Sequence, residues 1–382
     1  MATTPNFNWS TPDNTGLVKN GALDIRTLGN AIDASLVDLK GGTTGQVLAK
    51  ASNTDMDFSW TTAGAGGTVY AAGKNAIING GMDCWQRGTS FSVTTGSNFY
   101  TADRFFVVTE GATMSVARST TIPSSVGVQY SLEVTGATSG TNAYVVQRIE
   151  STNVPPIKGT VTVSAYIYNE TGASVTPTLR LDTPTAVDNY SSVNINTYTL
   201  QACANNAWTR VTQTVDISAL TQIDNGLSVI FYGWTLNSNT KKVRVTGVQI
   251  ERASSATAFT RNGATIQGEL ASCQRYYFRA SSDSGYKTFG VGTVTGVNNM
   301  NCFVNLPVQM RTIPSALDTS AMSTFYWEPG GGTTPTSITL ATSATQNLGN
   351  VQVSKNSSFT VGYATGLFSN NTAAYLGFSA EL

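Results

Sequence analysis

The chain has 382 residues, with 22 basic and 22 acidic side chains, so no net field steers it onto nucleic acid, anionic lipid or a charged polymer. Its length is enough for two or three domains that each bury a core. It contains no histidine, the side chain that most often transfers protons and ligates metals.

Charged residues make up only 12%, and Thr, Ser, Asn and Gly with many β-branched residues take their place. Such a composition favours short strands joined by turns, so the predicted class is all-β. Cys84, Cys203, Cys273 and Cys302 show no CxxC spacing, which supports neither zinc nor redox chemistry and predicts buried free thiols. No metal and no cofactor is expected. No run approaches the ~18 apolar residues of a membrane span, and the first residues lack the pattern of a secretory leader. The expectation is therefore a protein with no membrane insertion and no export by a standard signal.

Residues 1–74 are expected to form an N-terminal attachment and oligomerisation region with a linker. Ile25, Leu28, Ile32, Leu36 and Leu39 recur at spacings of three and four, which predicts a helical stripe over 22–40. A helix shorter than ~15 residues is marginal alone in water. Its seam closes either against copies of itself or a docking partner, or on the segment that follows it. Residues 41–60 read as a hairpin, with a strand over 46–50 and a second strand ending on Phe58 and Trp60. The glycine-rich strip 63–73 reads as a flexible joint.

Residues 75–262 carry successive period-two runs. Leu132 and Val134 alternate with Glu133 and Thr135, and Val161, Val163, Ala165 and Ile167 alternate with polar neighbours. Further strands are predicted over 103–109, 143–150, 207–215, 227–234 and 242–250. In the last, the apolar parity changes across Gly247, which predicts a bulge there. The pattern predicts a jelly-roll β-sandwich. A short helix is predicted next, with Ile266, Leu270, Cys273 and Tyr277 on one face. Residues 263–382 are expected to form a smaller C-terminal β-sandwich, the tip, with strands near 290–297, 302–308, 324–327, 337–342, 359–364 and 373–380.

Several motifs stand in a fixed order: NAIINGGMDCWQRGTSF (75–91), YTADRFF (100–106), VQIE (248–251), ATAFTR (256–261), ELASCQRYY (269–277), PVQMRTIPSAL (307–317) and SAEL (379–382). Together they resemble a module of phage tail and tail-fibre proteins, whose front half is similar to jelly-roll carbohydrate-binding domains. KGGTTGQVLAKASNTDMDFSW (40–60) is similar to the N-terminal attachment regions of phage fibres. The resemblance implies a host-attachment adhesin of the virion, made in the host cytoplasm. Its implied partners are a host-surface glycan or protein and, through the N-terminal region, other tail or virion proteins. The helical stripe and the hairpin add the expectation of a homotrimer. The other function class is a purely structural virion protein: a head fibre, decoration protein or tail connector.

No catalytic residue is expected. Glycan cleavage wants two carboxylates about 5–10 Å apart, whereas Asp103, Glu110, Glu133, Glu150 and Glu170 lie singly in alternating strands or at turns. For a neutral glycan the useful groups are aromatic faces with polar side chains beside them. Tyr190 and Tyr198, in a polar stretch, are receptor-binding candidates. Trp208 is another, facing outward or folding over the sandwich's open end. Tyr326 and Trp327 precede a glycine- and proline-rich loop over 329–336, and serve either as an exposed platform or as core.

Overall fold

A computed structural model describes residues 2–62, 72–328, 332–356 and 360–382. They fall into two units, Met1–Val69 and Tyr70–Leu382.

In the first unit, β1 (Ala2–Thr3) pairs with β2 (Ser10–Thr11), α1 follows (Gly21–Ser35), and β3 (Gln46–Lys50) forms a hairpin with β4 (Phe58–Thr62). The expected helix stops at Ser35. Leu36 caps it, and Leu39 lies in a single 3-10 turn, Val37–Leu39. The stop has a local cause. The Asp38 carboxylate accepts the Phe58 N–H at 3.2 Å, and the Trp60 indole donates to the Lys40 carbonyl at 3.0 Å, so this stretch is tied to the hairpin. No residue from 2 to 61 is buried. Ile25 is 65% exposed, and Leu36 and Leu39 are 39% and 42% exposed. Of the expected joint, residues 63–71 lie outside the described residues.

The second unit opens on twelve strands: β5 (Ser90–Val93), β6 (Phe99–Tyr100), β7 (Phe106–Glu110), β8 (Met114–Ser119), β9 (Ser131–Thr135), β10 (Asn142–Ile149), β11 (Thr160–Glu170), β12 (Thr178–Ala186), β13 (Asn189–Thr199), β14 (Ala207–Asp216), β15 (Leu227–Tyr232) and β16 (Lys242–Glu251). They form two six-stranded sheets, β13-β12-β15-β10-β7-β6 and β14-β11-β16-β9-β8-β5. From β9 onward the chain crosses between the sheets at nearly every connection, the winding of a jelly roll. Inward residues of both sheets, such as Val107, Val145 and Phe231 facing Val134, Val163 and Val245, share one core.

The bulge expected at Gly247 is present. Ser164 pairs with Gln249 and Tyr166 with Thr246, so one residue of β11 faces two of β16. Gly247 has φ +59°, and a Cβ there would lie 2.8 Å from the Tyr166 ring. The bulge turns Val243, Val245, Val248 and Ile250 to one fully buried side. In contrast, the stretch around 187–196 is strand. Most of it belongs to β13, an edge strand paired only with β12. Its Asn, Ser and Thr residues need no apolar face because most of its side chains are exposed or half-buried.

Next comes α2 (Ile266–Gln274), capped by the Thr265 side chain, which accepts the Gly268 N–H at 3.1 Å. Tyr277 was expected on this helix but starts β17 (Tyr277–Ser281), drawn into pairing with β25 (Tyr375–Ser379). The rest comprises β18 (Thr288–Gly296), β19 (Asn299–Asn305), β20 (Ala316–Thr319), β21 (Phe325–Glu328), β22 (Ser337–Leu340), β23 (Leu348–Ser354) and β24 (Ala364–Ser369). A six-stranded sheet, β21-β24-β18-β19-β23-β22, and a three-stranded one, β17-β25-β20, enclose a second, smaller core. The strand expected over 359–364 begins only at Ala364, and residues 357–359 lie outside the described residues.

The motif residues meet where the two cores adjoin. Arg87 lies 3.5 Å from the Tyr277 ring centre, and Arg104 lies 3.5 Å from that of Tyr276. Both guanidiniums pair with Glu381. Arg279 donates to the Arg87 carbonyl at 2.6 Å, and Arg275 pairs with Glu150 at 2.9 Å. Asp103 accepts both the backbone and the side-chain N–H of Gln86. Burial pushes its carboxyl up to about 6, against the pull of Arg87. Part of this sequence signature therefore builds a buried polar seam from planar groups that carry polar handles.

Candidate functional site

The outward side of β13-β12-β15-β10-β7-β6 carries a groove of about 370 Å³. Strand alternation builds it. In β7, Val107 points to the core while Phe106, Val108 and Glu110 point out. In β10, Val145 points in while Tyr144, Val146 and Arg148 point out. Register then aligns the outward side chains into rows. Phe106, Val146, Ile230 and Arg180 are successive cross-strand partners, and so are Arg148, Ser228 and Asp182. Phe106, Val146 and Ile230 form a second apolar cluster, and Tyr100, Val108, Tyr144 and Tyr232 pack against it.

One end of this apolar floor carries an aromatic pair, Tyr144 and Tyr232, with ring centres 4.9 Å apart and planes 24° from parallel. The Tyr144 hydroxyl donates to Glu110 at 2.9 Å. Burial, followed by that bond, raises the phenol's pKa. At the other end Arg180 grips Asp182 through two hydrogen bonds of 2.6 Å each, and this pairing holds the guanidinium pKa above its ordinary value. Beside them Arg148 lies between Phe106 and Tyr190, 4.9 and 4.5 Å from the ring centres, and donates to the Leu382 carbonyl at 2.6 Å. Burial lowers the Arg148 pKa, and burial foremost raises that of Tyr190. The Tyr190 hydroxyl donates to the Ile149 carbonyl at 2.9 Å, which fixes its ring as a wall.

Four charged side chains line the groove, Glu110, Arg148, Arg180 and Asp182, and they sum to zero. Glu110 and Asp182 lie on β7 and β12, with β10 and β15 between them. Three strand spacings are ~14 Å, beyond the separation that either glycosidase geometry uses. Among the described residues no cluster of three or more His, Cys, Asp or Glu is placed to hold a metal ion. The site offers a surface for stacking and hydrogen bonding.

The residues singled out in the sequence do not converge. Tyr190 lines the groove. Tyr198 pairs with the buried Leu179 and packs against the main core from the edge strand. Trp208 pairs with Tyr168 on the other sheet, their ring centres 5.4 Å apart, and is half-buried there. Tyr326 and Trp327 take opposite sides of β21: Tyr326 is half-buried, while Trp327 is fully buried in the smaller core and its indole donates to Thr365. Trp327 is therefore no stacking platform, because period-two alternation turns its ring inward. Sequence reading passed over Tyr144, Tyr232, Arg180 and Asp182. The available signal was a strand apolar on both parities: Tyr144 and Val146 beside Ala143 and Val145, and Ile230 beside Val229 and Phe231.

No protein-family model matches the chain, and no curated protein sequence matches it. Solved structures similar to it include the enzymatically active domain of tailspike protein 4 of bacteriophage CBA120, at 13% identity over 47% of this chain and 21% of that one, with a TM-score of 0.31. The CBM22-2 xylan-binding domain of Paenibacillus barcinonensis Xyn10C is 17% identical over 38% of this chain and 91% of that one, with a TM-score of 0.28. The C-terminal family 22 carbohydrate-binding module of Clostridium thermocellum Xyn10B is 14% identical over 43% and 99%, with a TM-score of 0.30. The chain spans about a fifth of the tailspike domain's length. Likeness at these scores carries no weight of its own, and the all-β jelly-roll assignment rests on the strand order and register described above.

Proposed function

We propose that the protein is a non-catalytic adhesin of a bacteriophage tail fibre that binds a neutral glycan of the host surface in the groove over β7, β10, β15 and β12. The observation that carries this reading is the groove's make-up: an apolar floor, Tyr144 in the lining with Tyr232 stacked beside it, and charged groups that cancel. A saccharide presents apolar C–H faces and hydroxyls in alternation, which suits aromatic faces with paired polar groups at their rim. The tail-fibre part of the reading rests on the motif resemblance. On a glycan array, the full chain is expected to retain neutral oligosaccharides and the Tyr144→Ala variant to lose at least about tenfold in affinity, ~1.4 kcal/mol, while remaining folded with a stability loss of about 1 kcal/mol. Retention of no glycan, or equal retention by the variant, would contradict the groove.

The same proposal assigns residues 1–74 to assembly as a homotrimer and to attachment to other virion proteins. An ordered helix and hairpin without one buried side chain from 2 to 61 need a further surface to close on. The helix offers Ile25, Leu28 and Ile32, with Leu36 and Leu39 just beyond it. Sedimentation of the full chain at micromolar concentration is expected to give the trimer. Ile32→Asp is expected to dissociate it while the unit Tyr70–Leu382 melts as before. A wild-type chain that sediments only as monomer is the opposing result.

A further inference from the structure

We infer that the outer face of β21, β24 and β18 carries a second saccharide-stacking site, built from Tyr286, Tyr326 and Phe368; the inference rests on the glycan-binding reading but not on the groove. Tyr326 and Phe368 are cross-strand partners whose rings stack, with centres 5.1 Å apart and planes 20° from parallel. Tyr286 meets Tyr326 edge-on at 5.4 Å. The Phe368 ring lies against Gly366, where a Cβ would approach it to 2.7 Å. The glycine thus lets the aromatic row lie low against the sheet.

Tyr286 is the residue that packing alone does not explain. It is 75% exposed and has φ +63°, an uncommon backbone conformation for a bulky residue. Three hydrogen bonds nevertheless pin this segment to Ser369. The Tyr286 N–H donates to the Ser369 carbonyl at 2.7 Å, the Lys287 N–H to its hydroxyl at 2.9 Å, and the Ser369 N–H to the Lys287 carbonyl at 2.8 Å. The chain therefore holds an exposed aromatic in a costly conformation without burying it. A fixed aromatic face gains on binding because its ordering entropy is spent beforehand.

The occupant is a pyranose ring. Three rings offer at most a few hundred Å², against the ~800 Å² per partner of a stable protein interface. The two phenol hydroxyls, with Glu328 beside Tyr326, give the polar rim that a sugar uses.

The test is fluorine NMR of the full chain labelled with fluorotyrosine, titrated with methyl β-D-glucopyranoside and methyl β-D-galactopyranoside to tens of millimolar. Tyr286, Tyr326, Tyr144 and Tyr232 are assigned by single Tyr→Phe changes. We expect saturable shifts at Tyr286 and Tyr326, with affinity at Tyr326 falling at least about tenfold in Tyr286→Ala, whose side chain is too exposed to be needed for folding. No shift at the two platform rings overturns the inference, whether or not the groove tyrosines respond. Platform shifts without groove shifts uphold it and instead remove the groove reading. Shifts that follow protein concentration without sugar assign the face to another copy of the chain and overturn it.

Discussion

Trp327→Ala is expected to lower the stability of the unit Tyr70–Leu382 by about 3–5 kcal/mol, whereas Tyr326→Ala, one residue away, is expected to cost about 1 kcal/mol. The asymmetry follows from β21 alternating its side chains across the sheet. Trp327 is fully buried with Phe325, Leu367 and Phe378 in the smaller core, and its indole N–H finds Thr365. Truncation removes the largest side chain of that core and leaves a cavity that flanking strands cannot close. Tyr326 loses its stacking on Phe368, its edge contact with Tyr286 and its packing against Gly332. Urea unfolding of the two variants measures both figures, and equal losses would contradict the assignment of opposite sides.

Glu381→Gln is expected to cost a further large sum, about 3–5 kcal/mol, because it leaves a buried guanidinium without its counter-charge. Arg104 is 2% exposed, and Arg87 shares the same carboxylate at 3.3 Å. Burial alone would pull the Arg104 pKa down. The Glu381 carboxylate outweighs it and holds the guanidinium charged. The pair joins the body to the last strand's tail, where the Leu382 carbonyl also accepts from Tyr100 and Arg148. A double replacement, Arg104→Met with Glu381→Leu, removes both charges and is expected to lose less than the sum of the singles by at least ~1 kcal/mol. Additive losses in a double-mutant cycle would show that the two groups do not act as a pair.

The fold was largely legible because its buried strands repeat with period two. The runs at Val161–Ile167 and Leu132–Val134 became β11 and β9, and the parity change at Gly247 became a bulge. Of the edge strands, β14, β21 and β22 were expected and β13 was not. β13 is mostly solvated, so its Asn, Ser and Thr residues read only as a polar stretch. The groove was harder to see because it depends on register. Phe106, Val146, Ile230 and Arg180 come from four strands, and nothing local to any one of them tells which residues will stand side by side. Tyr190 was named for the polar stretch around it and does line the groove. Trp327 was named for the glycine-rich loop that follows it, with exposed platform and core both left open, and its inward parity makes it core. The motif residues Arg87, Arg104, Tyr276, Tyr277 and Glu381 are accounted for by the seam between the two cores, and only Tyr100 and Phe106 of those motifs also reach the groove's apolar floor.

The most direct test of the central claim is a crystal structure of the full chain with the oligosaccharide that it retains most strongly on the array. A pyranose ring is expected over the Tyr144–Tyr232 pair, with carbon atoms within ~4 Å of the rings and hydroxyls bonded to Glu110 or to the Arg180–Asp182 pair. An oligosaccharide seated elsewhere, with the groove unfilled, would contradict it.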